Sequence, residues 1–164
     1  MTIERTRTVS WSDPMATAGG AGGRSGLALL RAIIDGTLPP APIQATLGFD
    51  LIVAENGLAR FRMDPGEHLY NPMNGVHGGI ACVLLDSAMS SAVMSTLDEK
   101  TAYTTADVMV HMTRPITTKT GPITAEGHVL HRGSRVATAE GRLTDGEGRL
   151  LAHATTTCML LDRK

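Results

Sequence analysis

The chain predicts an α+β fold in which a curved, six-stranded antiparallel sheet wraps around one long helix, with an extra helix near the N-terminus. Three observations carry this. Residues 79–96 form an apolar run whose only charge is Asp86. Two short alternating runs before it flank Glu55-Asn56-Gly57, and four longer alternating runs follow it. A period of two reads as strand, and an uninterrupted apolar run of this length reads as a surrounded helix.

The elements follow in order. Residues 1–23 show no apolar period, and Gly19-Gly20-Ala21-Gly22-Gly23 reads as a flexible N-terminal segment ahead of a single domain over 24–164. This stretch lacks a preceding strand and the Lys-Ser/Thr of a phosphate-binding loop. Leu27, Leu30, Ile33 and Ile34 share a helical face, with Ser25 as N-cap and Gly36 as stop. Pro39, Pro40 and Pro42 delay further helix until Ile43–Leu47. Asn56-Gly57 between two apolar runs predicts a hairpin of strands over 49–54 and 58–63. Strands are then expected over 101–114, 122–132, 134–144 and 149–161. Lys119–Pro122, Arg132–Ser134 and Asp145–Gly148 read as hairpin turns between them.

Composition excludes several classes. The net charge of −1 offers no field for nucleic acid. The helical run contains Asp86 and many hydroxyls, so a buried helix is expected in place of a membrane span. Cys82 and Cys158 lie in apolar runs without metal-ligand spacing and read as reduced core residues of a cytoplasmic protein. The polar N-terminus has no secretory signal pattern. The remaining histidines make no H-x-x-x-H pair, so no metal site is expected.

Three features can carry chemistry. A buried carboxylate costs free energy unless it is partnered, and Asp86 lies two turns into the helix, too deep to be a cap. It is a partly exposed residue that the helix tolerates, one hydrogen-bonded to a neighbouring Ser, or a functional group. His77-Gly78-Gly79 stands at the helix start, where backbone N–H groups lack partners and can polarise a carbonyl; equally, His77 could cap the helix and the glycines only permit the turn. Asn71, in a Pro-containing turn, reads alone as a turn residue. The small residues Ser87, Ala88, Ser90, Ser91, Ala92 and Ser95 suggest a face that another helix approaches, and a second subunit is the simplest cover for the helix.

Asn71, then His77-Gly78-Gly79, then Asp86 nine residues after the His, set in this strand–helix order, resembles the hotdog-fold acyl-CoA thioesterases of the PaaI-like (phenylacetate-degradation) type. The resemblance spans about residues 45–161 and includes Arg114-Pro115, the Gly133 hairpin, the Asp145–Gly148 turn and the Thr-rich last strand.

That resemblance implies hydrolysis of an acyl- or aryl-CoA, with CoA part of the substrate and no cofactor. Asp86 would be base or nucleophile, and the Gly78 N–H would polarise the thioester carbonyl. Asn71 would position thioester or water, His77 would shape the loop, and Gly79 would let substrate approach. Thr105 falls where a hydroxyl orients water, and Ser90 where one assists a turn after the carboxylate. Arg114, Arg132 and Arg135 are candidate partners for the CoA phosphates. The resemblance implies a homodimer with Asp86 of one subunit facing Asn71 and Gly78 of the other, assembling further to a homotetramer. A non-catalytic acyl-CoA-binding module and a hotdog dehydratase or isomerase are the alternatives.

Overall fold

Helix α4 (Gly78–Met94) is the axis of the molecule, and the way it is buried explains the sheet around it. The computed structural model describes residues 3–163; Met1, Thr2 and Lys164, the ends of the two expected segments, lie outside them. The other elements are α1 (Pro14–Gly20), α2 (Gly26–Ile34), α3 (Pro42–Leu47), β1 (Phe49–Glu55), β2 (Leu58–Met63), β3 (Thr101–Met112), β4 (Ile123–Arg132), β5 (Val136–Asp145) and β6 (Leu150–Asp162). All strand pairs are antiparallel, in the order β1-β2-β4-β5-β6-β3. This is the helix-wrapping sheet expected of a hotdog fold.

Leu84, Leu85, Ala88, Met89, Ala92 and Val93 are fully buried. The sheet receives them in a trough of small residues. Ala59, Gly127, Gly141 and Ala154 are consecutive partners across β2, β4, β5 and β6. A Cβ on Gly127 would stand 2.4 Å from the carbonyl carbon and oxygen of Ala88, and one on Gly141 would stand 2.9 Å from Met89 Cγ. The helix backbone therefore rests almost directly on strand backbone.

The hairpins at Asn56-Gly57, 133–135 and 146–149 form as expected. Lys119–Pro122 does not. Its segment holds a 3-10 turn at Thr118–Thr120 and carries the chain from β3, at the sheet edge, across to β4 between β2 and β5. Residues 113–122 are too many for a tight hairpin and enough for a crossover. Alternation marks where a strand ends; it does not say which strand lies beside it.

The small residues of α4 also divide differently from expectation. Ala88 and Ala92 are buried within the chain, and the Ser95 hydroxyl accepts from the Gly57 N–H at 2.8 Å while donating to the Ala92 carbonyl. They admit the chain's own sheet and hairpin. The half-buried stripe of α4 is instead Gly78, Gly79, Cys82, Val83, Asp86, Ser87 and Met94.

Where no apolar period was visible, Pro14–Gly20 forms a helix. Pro14 stands at its first position, and Asp13 caps it by accepting from the Met15 N–H at 2.9 Å. The N-terminal segment lies on the body: Arg7 donates to the Thr46 and Ala45 carbonyls, and Thr17 donates to the Pro39 carbonyl. Helix α2, N-capped by Ser25, closes over the end of α4, where the Gly26 N–H donates to the Leu97 carbonyl at 2.9 Å. No helix among the described residues is long and apolar enough to cross a membrane.

Candidate active site

The loop before α4 is built from its own polar groups. Asn71 Oδ1 accepts from the N–H of Met73 at 2.9 Å and of Gly75 at 3.4 Å, closing the turn in which Asn74 takes φ 63°. With Oδ1 so used, the Asn71 side-chain NH2 is the part left to meet a substrate oxygen. His77 is the N-cap: its Nδ1 accepts from the Gly79 N–H at 2.9 Å, which places the proton of a neutral ring on Nε2. The Ile80 N–H donates to the His77 carbonyl at 2.9 Å. Of the Gly78, Gly79 and Ile80 N–H groups at this end, the Gly79 and Ile80 donors are therefore taken. Among the described residues only Gly78 of the three has no acceptor. A Cβ on Gly78 would lie 2.7 Å from Met112 Cε, the end of an exposed, flexible side chain that would have to move aside.

Gly78 lines a cavity of about 430 Å3 together with Asn71, His77, Met112, Arg114 and Ile116, among others. A helix N-terminus with an unpartnered N–H is suited to bind an oxyanion.

Asp86 is not on that cavity. It lies eight residues further along α4, about 12 Å up the axis. Thr105 donates to its Oδ1 at 3.0 Å. That contact depends on a bulge. β3 pairs Thr105 with Cys158 and Asp107 with Thr157, leaving Ala106 without a partner. The extra residue moves the inward positions of β3 from Tyr103 and Thr105 to Val108 and Val110. Simple alternation groups Thr105 with Asp107 and Met109; the bulge turns it toward the helix.

Tyr103, which the sequence reading passed over, is the other inward neighbour. Burial pushes its phenol up, and a hydrogen bond with the Ser90 side chain opposes this. The signal was available: Tyr103 is one of two tyrosines and lies two residues from Thr105. Burial likewise pushes the Cys158 thiol up, and the Thr105 and Thr156 side chains oppose the shift. Asp86, Thr105, Ser90, Tyr103 and Cys158 thus form one polar group within an apolar shell.

The remaining expected residues divide between two ends. Arg114 lines the cavity and donates to the Leu150 carbonyl at 2.6 Å. Arg132 and Arg135 flank the β4–β5 turn, at the opposite end of β4 from Ile123, and are absent from the cavity wall. Gly79 has its N–H bonded to the His77 ring and also lies outside that wall. One chain brings together Asn71, His77, Gly78 and Arg114, and separately Asp86, Thr105 and Ser90. Among the described residues no cluster of three or more His, Cys, Asp or Glu could hold a metal.

Residues 73–152, from the cavity loop to the start of β6, match the model of the thioesterase superfamily. The protein named "Putative esterase SSO1253" from Saccharolobus solfataricus is 31% identical over 111 residues, covering 68% of this chain and 72% of its own. The chain belongs to the thioesterase superfamily. The 1,4-dihydroxy-2-naphthoyl-CoA hydrolase of Listeria monocytogenes is 23% identical over 115 residues, 70% of this chain and 92% of that one. The PaaI protein of the E. coli phenylacetic acid degradation operon superposes with a TM-score of 0.67 at 22% identity, over 73% of this chain and 83% of its own. Membership of the thioesterase superfamily makes the protein a thioester hydrolase, and PaaI shares its fold.

Proposed function

We propose that the protein hydrolyses the thioester of an acyl- or aryl-CoA, releasing free acid and CoA, at a site shared between two copies of the chain. The observation that carries this is the unpartnered Gly78 N–H on the wall of a cavity that also presents Asn71 and Arg114. The thioester carbonyl oxygen would accept from the Gly78 N–H, and the developing oxyanion would gain from the helix dipole. Water adds to the carbonyl carbon while Asp86 takes its proton, or Asp86 itself adds and water then hydrolyses the mixed anhydride. In either course the C–S bond breaks and the sulfur leaves as thiolate, which is protonated. One carboxylate and one dipole suffice, and the reaction uses no metal or further cofactor.

The distance between the two halves supports a shared site. Asp86 lies on the half-buried stripe of α4, and β3 is an edge strand with a free ladder. In the proposed dimer a second copy covers these, and its Asp86 faces the first copy's Gly78, as the resemblance implies. His77, as cap, holds the loop; Thr105 holds the carboxylate; Ser90 braces Tyr103. The free thiols Cys82 and Cys158 accord with a reducing cytoplasmic compartment.

The test is release of CoA thiol from a panel of aryl- and fatty acyl-CoAs by wild type, Asp86→Asn and Asn71→Ala. Both variants should be inactive alone. After the two are mixed and allowed to exchange, half the dimers are mixed and carry one intact site each, so about a quarter of wild-type activity should return. Undiminished turnover in Asp86→Asn would remove the assignment, and absence of complementation would confine the site to one chain. Label in the Asp86 carboxylate after a single turnover in 18O-water would identify Asp86 as nucleophile, with water attacking the Asp86 carbonyl of the anhydride.

A further inference from the structure

A second cavity, of about 580 Å3, lies under the N-terminal segment and is walled by Arg5, Thr6, Arg7, Glu67, His68 and Tyr70. Its charges do not cancel. Arg5 pairs with Glu67. Arg7 donates to two carbonyls at the end of α3, at 2.8 and 3.3 Å, and pairs with no carboxylate among the described residues. No carboxylate offsets its charge, which lies close enough to act on His68 across the cavity. Burial, and then the Arg7 charge, hold the His68 imidazole below its ordinary range, with Glu67 opposing. His68 is fixed against the backbone, since a Cβ on Gly66 would stand 2.6 Å from its ring. Tyr70 is fixed at its other end, its hydroxyl accepting from the Thr118 N–H at 2.9 Å.

The wall thus offers a guanidinium, a second nitrogen donor, a hydroxyl at Thr6 and two anchored aromatic rings. Guanidinium with several further donors suits a phosphate, whose oxygens accept in number. Flat rings beside it suit a base. The cavity adjoins the reactive one: His68 and Tyr70 line this space and Asn71 lines the other, at most about 11 Å apart along three residues of chain.

We propose that this cavity is an anion site for the phosphorylated nucleoside end of the CoA thioester, with Arg7 as its cation and the His68 ring as a neutral N–H donor beside it. The proposal rests on the acyl-CoA reading above. It gives the N-terminal segment, which lies outside the family match, a part in substrate binding.

The test is calorimetric binding of CoA, adenosine 3′,5′-bisphosphate and inorganic phosphate to the full chain and to Arg7→Gln and His68→Ala, with kinetics on an acyl-CoA and the matching acyl-pantetheine, which lacks the nucleotide. The bisphosphate should bind wild type. Each variant should weaken CoA and bisphosphate about tenfold and raise KM for acyl-CoA alike, as loss of a hydrogen bond to a charged group does. Acyl-pantetheine turnover should not change. Unchanged affinity in both variants overturns the proposal. Equal loss on acyl-pantetheine also overturns it, by showing that Arg7 only fastens the segment; His68, outside that segment, checks this. Inorganic phosphate binding as tightly as the bisphosphate would reassign the site to free phosphate. If no thioester is hydrolysed, the reading above fails while the bisphosphate measurement still decides this site.

Discussion

Thr105 Oγ1 donates to Asp86 Oδ1 at 3.0 Å, joining the edge strand β3 to the central helix α4. The bond fixes one carboxylate oxygen and leaves the other for water or substrate. Thr105→Val should lower kcat about tenfold with little change in KM, since a hydrogen bond to a charged group contributes roughly 1.5–3 kcal/mol. Thr105→Ser should restore most of the rate. Steady-state kinetics on one acyl-CoA decides this; a Val variant at wild-type rate would make Thr105 structural only.

His77 is predicted to act as a cap. His77→Ala removes the acceptor for the Gly79 N–H and should cost about 1 kcal/mol of stability. His77→Asn, which can accept the same bond, should recover that stability in thermal melts. If Asn recovers stability and also activity, the ring itself takes no part in the chemistry.

Gly127 should tolerate nothing larger. In Gly127→Ala the new Cβ meets helix backbone at 2.4 Å, and helix and sheet must separate. Overpacking of this kind typically costs 1–3 kcal/mol, so the melting temperature should fall by several degrees at this chain length. Gly141→Ala meets only side-chain atoms of Met89 and Leu85 and should lower it less. Equal melts for both variants would contradict the backbone contact.

Acid should destabilise the protein through two carboxylates. Burial pushes Asp145 up, but the Arg149 guanidinium and the N–H groups of Glu147 and Arg149 outweigh it and hold the carboxyl below its usual range. Burial likewise pushes Glu126 up, and bonds with His128 and Arg60 outweigh it. Carboxyls depressed in the folded state stabilise it above their unfolded range, and that contribution is lost as pH falls through the folded values. Denaturant unfolding should therefore show stability level near neutrality and falling in the acid range. Asp145→Asn should lower the neutral plateau and flatten the fall.

Much of this architecture was legible in the sequence. Asn56-Gly57 marked its hairpin, Ser25 its cap, and the lone charge of α4 its carboxylate. Three features were not legible, each for a physical reason. The partner of β3 depends on which edge is free once the crossover closes, and alternation is silent on that. The turn of Thr105 toward Asp86 depends on one unpaired residue, Ala106, which looks like any other alternating position. The small residues of α4 matched a helix–helix face as well as a helix–sheet face; register alone shows Gly127 beneath Ala88. At the site, loop chemistry around Asn71 and His77 could be read locally. The separation of Asp86 from Gly78 could be read from helix rise, but not the capture of the Gly79 donor by the His77 ring.

The row Ala59, Gly127, Gly141, Ala154 has a consequence for how this scaffold can change. The height of Asp86 above the sheet is set by atoms that are missing. A methyl added at Gly127 would tilt or lift the rod that carries both the Asp86 carboxylate and the Gly78 donor, moving them together relative to the sheet. Changes that leave the floor under the helix untouched are the ones that keep the height of Asp86.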